Sequence, residues 1–349
     1  MSHHFAQVLL ERKDADVIFL DCTKVFDRLP HDVIVNSLRK HGVDGCLLAL
    51  FSDYLKGRSQ RVMVDGFFSG EREVKSGVPQ GSILGPVLFT VAVNGLSGVV
   101  SSKVLQYADH IVLYRKVNSE ADCLALQKDL DSLTKWCEEV GLDINPKKSQ
   151  HLRISNKNFK TAIPTGSYNF NGEAIPTEEE AECLGVTFSS RLDWTGQVDK
   201  VVAKCRKRLY AIKAFFPRRF GVVKQLLFKS IVRSVMDHAS SWHSTGKGLQ
   251  KKLGNIQKFL QTIRFGCLEG NERHDVDFRQ YRQHLAEVGW HPLWQRRLEG
   301  ILLNAFKIWK GMFAGGQLIL KRDMPGRTTR SQAKEFLLAP ASFAPASCR

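Results

Sequence analysis

Two aspartates stand where a carboxylate is expensive. Asp21 ends the β-branched apolar run Val17-Ile18-Phe19-Leu20, and Asp109 stands in the tight turn between the apolar segments Val104–Tyr107 and Ile111–Tyr114. A charge beside apolar strands costs free energy unless something cationic compensates it. Two such carboxylates on adjacent strands of one sheet could hold a pair of Mg²⁺ ions ~4 Å apart, the arrangement suited to in-line phosphoryl transfer. Spacing alone does not establish this. An Asp at a strand end is more often a cap or a turn residue, and pattern alone favours that reading.

The elements that must carry these residues can be read from periodicity. Val17–Asp21 reads as a buried strand, and Pro30 with Val33, Ile34 and Leu38 as a helix ending near Gly42. A second helix is expected over Leu47–Leu55, and a hairpin from Arg61–Asp65 and Glu71–Lys75. The apolar stretch Ile83 to Leu96 reads as a buried helix. Val104–Tyr107 and Ile111–Tyr114 form a hairpin with Ala108-Asp109-His110 between them. Leu124, Leu126, Leu130, Leu133 and Trp136 recur at helical spacing up to Gly141. From Tyr168 to Phe188 short strands return, with Asn171-Gly172 as a turn. Long basic helices follow Trp194, and the stretch from Asp323, rich in Ser, Pro and Ala, reads as disordered.

Charge divides the chain. Residues 1–150 hold 18 Lys/Arg against 19 Asp/Glu, and residues 151–349 hold 33 against 16. A one-sided excess of this kind points to a polyanion, nucleic acid first and an anionic membrane surface second. Residues 200–233 contain eleven basic residues and no acid, among them Lys200, Lys204, Lys207 and Arg208. Val198, Val202, Cys205, Leu209 and Ile212 recur every three or four positions, so one face packs while cations project elsewhere. Without interspersed acids a merely solvated face would repel itself, and a phosphate backbone is the better explanation.

The remaining composition narrows the classes. The eight cysteines are scattered with no C-x-x-C pair, which argues against a zinc knuckle, and Cys46 and Cys183 read as reduced core residues. No signal-peptide pattern opens the chain, and the longest apolar stretches are too short to span a bilayer, so an intracellular protein with no membrane partner is expected. His3-His4, His31, His41 and His151 lack metal spacing and read as surface or structural residues. Trp290, Trp294 and Trp309, with Leu293 and Leu302, read as helical core.

What overturns the bland reading of Asp21 and Asp109 is the string of neighbours. Phe19-Leu20-Asp21-Cys22-Thr23-Lys24-Val25-Phe26-Asp27-Arg28-Leu29-Pro30-His31 resembles the first catalytic motif of non-LTR retrotransposon reverse transcriptases. Ser76-Gly77-Val78-Pro79-Gln80-Gly81-Ser82-Ile83-Leu84-Gly85-Pro86 is similar to their next motif, and Tyr107-Ala108-Asp109-His110 takes the place of their aromatic-Ala-Asp-Asp turn. Gly141-Leu142-Asp143-Ile144-Asn145-Pro146-Lys147-Lys148-Ser149 resembles a pattern in which Lys follows Asn by three, with Ser149 where Thr is more usual. Cys183-Leu184-Gly185-Val186 resembles the primer-grip hairpin, and Gly289 through Arg297 the family's tail region.

The resemblance implies an α+β right-hand fold, a palm with an antiparallel sheet and packed helices followed by helical segments. Residues 1–190 would be palm with incomplete fingers, 191–240 a basic helical thumb, 241–322 a C-terminal helical region and 323–349 a disordered tail. It implies that Asp21 and Asp109 bind Mg²⁺ (or Mn²⁺), with the Cys22 carbonyl as a further ligand. Phe26 would exclude a 2′-hydroxyl, a role compatible with a core aromatic. Gln80 and Gly81 would lie against nucleotide and template, and Lys148 would meet the leaving pyrophosphate. The implied partners are an RNA template, a DNA primer and deoxynucleoside triphosphates, and the implied location is the nucleus.

Two departures bear on activity. His110 stands where the family has a second Asp, which should weaken metal binding and slow the reaction. The chain also starts only about twenty residues before Asp21, where family members carry fingers and often an endonuclease, so an N-terminally truncated element, a decayed copy or a fragment of a longer gene is expected. The alternative to a polymerase is a non-catalytic nucleic-acid-binding remnant of the same fold. A basic scaffold for membranes or proteins is disfavoured because it leaves the motifs unexplained.

Overall fold

A computed structural model of the chain describes residues 1–155, 166–217, 219–239, 242, 246–265, 290–291, 293–310 and 312. The described residues form two compact units, Val8–Cys183, and Met1–Gln7 together with those from Leu184 onward. The expected tail, 323–349, lies outside the described residues, as do Gly289 and the side chain of Trp294.

The first unit is built on a four-stranded antiparallel sheet. After α1 (Ser2–Leu10), whose residues up to Gln7 belong to the other unit, come β1 (Asp14–Asp21), α2 (Val25–Arg28), α3 (His31–Lys40) and α4 (Gly45–Leu55). Four two-residue strands follow: β2 (Ser59–Gln60), β3 (Met63–Val64), β4 (Phe67–Phe68) and β5 (Arg72–Glu73). Then come α5 (Leu84–Val93), a 3₁₀ turn at Asn94–Gly98, β6 (Lys103–Tyr107), β7 (His110–Val117) and α6 (Glu120–Val140). β8 (Gln150–Ile154), β9 (Asn169–Phe170), β10 (Glu173–Ala174) and β11 (Glu180–Cys183) complete the unit. The sheet order is β6-β7-β1-β8, with β1 antiparallel to both of its neighbours. The α+β class is therefore observed, with helices packed on an antiparallel sheet.

A central strand is covered on both faces, which is why β1 is buried along seven of its eight residues. Side chains alternate, so Asp16, Ile18 and Leu20 share one face. Ile18 and Leu20 join Leu29, Ile34, Leu88, Leu126, Leu130 and Leu133 in one apolar core. Each fully buried Leu contributes about 1.5–3 kcal/mol relative to exposure. α6 begins in a capping box, where the Asp122 carboxylate accepts the Ser119 amide at 3.1 Å. It ends at Gly141, whose φ is +78°.

Three expectations are corrected. The hairpin after α4 is slipped: β3 pairs with β4 around Asp65-Gly66, while β2 pairs with β5. Asp65 and Gly66 both take positive φ, which sets a tight turn ahead of Glu71. The helix α5 is shorter than 83–96 and only half covered. Leu88, Phe89, Ala92 and Val93 pack, but Ile83 is 91 % and Val87 54 % exposed, because residues on opposite sides of a helix cannot face one sheet. Cys46 is exposed because α4 packs through Leu48, Phe51 and Leu55 instead, whereas Cys183 is buried.

The second unit contains β12 (Val186–Ser189), α7 (Thr195–Phe215), α8 (Gly221–Leu227), a π-helical turn at Phe228–Arg233, α9 (Ser234–Asp237), α10 (Lys247–Phe265) and α11 (Leu293–Trp309). The apolar stripe of α7 is buried as its spacing predicts, through Val198, Val202, Cys205, Leu209 and Ile212. Phe5 meets Phe188 edge-on at 6.3 Å. Trp290 is buried and stacks on Phe228 at 5.3 Å, with Lys229 and Arg233 over its ring. Trp309 and Leu302 are not core: they are 65 % and 53 % exposed, on a helix α11 that also shows Leu298 and Phe306 to solvent.

Candidate active site

Backbone pairing brings the two aspartates together. The antiparallel register of β1 and β7 sets Asp21 opposite His110, and Tyr107 pairs with His110 across the two-residue turn Ala108-Asp109. His110 thus belongs to the strand and not to the turn. Ala108 takes φ +52° to close the turn, and the Asp109 carbonyl accepts the Cys22 amide at 2.9 Å. A third segment docks on the same edge. Cys22 bridges Ile144, the Asn145 amide donates to the Asp21 carbonyl at 2.9 Å, and the Thr23 amide donates to the Asp143 carbonyl at 2.7 Å.

Asp21, Asp109 and His110 each offer a ligand atom, and these atoms lie within 4.8 Å of one another. His110 Nδ1 is 3.6 Å from an Asp21 oxygen, and its Nε2 is 3.8 Å from an Asp109 oxygen. Lys148 Nζ is 3.6 Å from the other Asp21 oxygen. The loop that carries Lys148 is stiffened by the Ser149 hydroxyl, which donates to the Asn145 carbonyl at 2.8 Å, and by the Asn145 side chain, which accepts the Lys147 amide at 3.1 Å. Ser149 in place of Thr keeps the hydroxyl that this turn uses. Cys22 is buried, and burial first, then the charges of Cys137, Asp21 and Asp109, pushes its thiol far above the usual range. Its side chain is a core group.

The second motif is sewn to the first. The Gly77 amide donates to the Leu29 carbonyl and the Val78 amide to the Phe26 carbonyl, both at 2.8 Å. The Ser76 hydroxyl donates to the Asp27 carbonyl at 2.8 Å, and His31 Nε2 donates to the Gly77 carbonyl at 3.0 Å. Gly77 has φ +81°, and a Cβ there would lie 2.5 Å from the Phe26 carbonyl oxygen. Only glycine fits. The Gln80 amide donates to the Asp27 carboxylate at 2.6 Å, in a bond open to solvent. Gly81 also has φ +81°, with open space around it. Phe26 is half-buried against Phe89, centroids 4.6 Å apart, so its reading as a packed aromatic holds beside any role toward a ligand.

A cleft of about 250 Å³ is lined by Phe19, Asp21, His110, Lys148, Gln150 and Glu182 among others. A larger cavity, about 520 Å³, is bounded by residues that include Thr23, Arg28, Cys137, Asn145 and Lys147, and neither Asp21 nor Asp109 lines it. Size does not mark the site; the convergence of ionisable groups does.

A further cluster sits on β1, five residues before Asp21. Asp16 is fully buried and accepts two bonds from Arg153, at 2.6 and 2.7 Å, and one from the Tyr168 hydroxyl at 2.5 Å. Burial alone would raise its pKa, but Arg153 and His151 overcome this and hold it well below the carboxylate range. His151 is fully buried, 3.2 Å from Asp16, with Nδ1 3.0 Å from the Thr177 hydroxyl. Its structural role agrees with the sequence reading. Periodicity gave no sign of Asp16, whose partner Arg153 lies 137 residues away.

On α7, Lys200, Lys204 and Lys207 are exposed at i, i+4 and i+7, hence on one face. Lys200 also donates to the Thr187 hydroxyl at 2.9 Å. Arg208 is half-buried and donates to the Ile231 carbonyl. Leu184 and Gly185 take φ of +51° and +75°. His238 Nε2 donates to the Leu184 carbonyl at 3.1 Å. No helix among the described residues is long and apolar enough to cross a membrane.

Comparison with known proteins identifies the family. Residues 3–188 match the model of the family described as "Reverse transcriptase (RNA-dependent DNA polymerase)". The chain is 26 % identical over 230 residues to a probable RNA-directed DNA polymerase from transposon BS of Drosophila melanogaster, covering 63 % of this chain and 25 % of that protein. It is 29 % identical over 217 residues to the RNA-directed DNA polymerase from mobile element jockey of Drosophila funebris, covering 59 % and 23 %. The chain thus spans about a quarter of the length of these relatives. Among solved structures it is similar to telomerase from Candida albicans in complex with a fragment of telomeric RNA, at TM-score 0.43 and 12 % identity, covering 82 % of this chain and 53 % of that one. By its family match this chain belongs to the reverse transcriptases, and its relatives are RNA-directed DNA polymerases of a transposon and a mobile element.

Proposed function

We propose that the chain carries the palm and thumb of an RNA-directed DNA polymerase, extending a DNA primer on an RNA template with deoxynucleoside triphosphates. The observation that supports this best is the register that sets Asp21 beside the Ala108-Asp109 turn, so that two carboxylates from adjacent strands converge. Reverse transcriptases use divalent metals, and the donor set fits one: hard, partly exposed carboxylate oxygens, with Asp21 lining a cleft. Asp21, Asp109 and the Cys22 carbonyl would hold Mg²⁺ or Mn²⁺. When bound, the metal supplies Lewis-acid stabilisation of the charge that develops during phosphoryl transfer.

The chain's own residues do the rest. Phe26, braced by Phe89, sets a wall under the sugar that admits a 2′-hydrogen and not a hydroxyl. Gln80, oriented by Asp27, offers an amide to the nucleotide or template. Lys148, 3.6 Å from Asp21, would meet the departing pyrophosphate as its proton donor. Lys200, Lys204 and Lys207 would grip the hybrid through its phosphates, by shape and charge and not by sequence.

A second reading is favoured by one observation, the imidazole placed where a carboxylate is expected, within 3.8 Å of both aspartates. In that reading the chain binds nucleic acid without catalysing extension. Primer extension on an RNA template with Mg²⁺ or Mn²⁺, comparing the chain with His110→Asp and Asp21→Ala, separates them. Extension gained with His110→Asp and abolished by Asp21→Ala supports the polymerase. Hybrid binding without extension in every variant supports the binding protein. No hybrid binding at low salt overturns both.

A further inference from the structure

We infer that His110 is itself a metal ligand, and that it converts the site into a two-carboxylate, one-imidazole centre preferring borderline transition-metal cations to Mg²⁺. This rests on the reading above that Asp21 and Asp109 are metal ligands. Its own ground is geometry. The ring is anchored at the first position of β7, opposite Asp21 in register, and one of its nitrogens falls within 4.8 Å of an oxygen of each aspartate. Both ring nitrogens face a carboxylate, Nδ1 toward Asp21 and Nε2 toward Asp109. The ring is 43 % exposed and so open to an incoming ion.

The chemistry then decides which ion. Imidazole nitrogen suits cations such as Co²⁺ and Zn²⁺, whereas Mg²⁺ takes oxygen ligands and gives up its waters reluctantly. Replacing a carboxylate by a neutral nitrogen donor also removes one negative charge, which penalises Mg²⁺ more than a cation that gains a bond to nitrogen. The substitution therefore changes which metal the site selects as well as how tightly it binds.

The test is direct metal binding by the whole chain after chelation, with Co²⁺ followed by its visible absorption and Mg²⁺ by calorimetry. A background of His3→Gln and His4→Gln removes the adjacent N-terminal histidines as a rival site. The wild-type ring should give a Co²⁺ spectrum that His110→Ala and Asp109→Asn each weaken by about tenfold or more in affinity. His110→Asp should raise Mg²⁺ affinity and lower the Co²⁺-to-Mg²⁺ ratio. His110→Gln, close to the ring in reach but without its nitrogen donor, should behave as His110→Ala. Near-UV circular dichroism on each variant confirms that the fold persists.

An unchanged Co²⁺-to-Mg²⁺ ratio in folded His110→Ala and His110→Gln overturns the inference. So does a folded wild type that takes up no Co²⁺, which would make the ring a substitute for the cation. The two readings fail separately. If His110→Asp extends primers while Co²⁺ ignores His110, only this inference falls; if Co²⁺ follows His110 but no variant extends, only the polymerase reading falls.

Discussion

Arg153 holds Asp16 in a two-pronged grip at 2.6 and 2.7 Å, with the carboxylate sealed from solvent in the middle of the central strand. Taking a carboxylate out of water costs several kcal/mol, which the guanidinium, His151 and the Tyr168 hydroxyl offset together. Removing the Asp16 charge takes away the carboxylate that balances the largely buried guanidinium of Arg153. Asp16→Asn should therefore destabilise the first unit by about 3–5 kcal/mol, read from urea unfolding. A change of less than about 1 kcal/mol would show that the cluster adds no more than an exposed ion pair does.

The same carboxylate sets an acid limit. Its folded pKa lies below its unfolded value of about 3.9, so its contribution is fully present above that value. It is lost progressively as pH falls below about 4 toward the folded pKa. Circular dichroism through an acid titration should show unfolding in that window, and Asp16→Asn should flatten this part of the profile.

Gly77 and Gly81 share a φ of +81° but not their surroundings, which makes them a matched pair. Gly81→Ala meets only the backbone penalty, about 1–2 kcal/mol. Gly77→Ala adds a clash with the Phe26 carbonyl and the Asp27 backbone, for a total of about 2–4 kcal/mol. Equal unfolding midpoints for the two variants would contradict the stitching of residues 26–29 to 76–78.

The α7 cations make a prediction about salt. Replacing Lys200, Lys204 and Lys207 together by Gln should weaken hybrid binding for every sequence alike. The slope of log affinity against log salt should fall by roughly 0.9 for each phosphate no longer neutralised. Binding isotherms at several salt concentrations measure this, and an unchanged slope removes these residues from the interface.

Phe26 makes a prediction about the sugar. In a His110→Asp background that extends primers, Phe26→Val opens room beneath the sugar. Ribonucleotides should then be admitted about tenfold or more better relative to deoxynucleotides, the scale on which a small pocket discriminates by size. Single-nucleotide incorporation assays with both sugars report it. Phe89 would be left without its packing partner, so stability should fall as well.

Much of the site could be read from the chain before any fold was seen, because its residues lie in short motifs whose spacing is local. The hairpin holding Asp109, the Asn171-Gly172 turn and the stripe of α7 follow from periods of two and of three to four. What stayed hidden depended on partners distant in sequence. Asp14 and Asp16 look like polar residues preceding a strand, yet β1 includes and buries both. The β2–β5 hairpin slipped because an Asp65-Gly66 turn outweighs a longer loop, and two-residue strands carry little periodicity to counter it. Cys46 and Trp309 are apolar in kind but fall on helix faces that meet solvent, which composition cannot reveal.

The ties among the three active-site segments are made by the main chain. The Cys22 amide reaches the Asp109 carbonyl and the Asn145 amide reaches the Asp21 carbonyl, so no catalytic side chain is needed to close the frame. Architecture and chemistry are thereby inherited separately. A change confined to the side chains of Asp21, Asp109 or His110 leaves these main-chain ties in place. Such a change should therefore alter what the site binds while the far-UV circular dichroism of the chain stays the same.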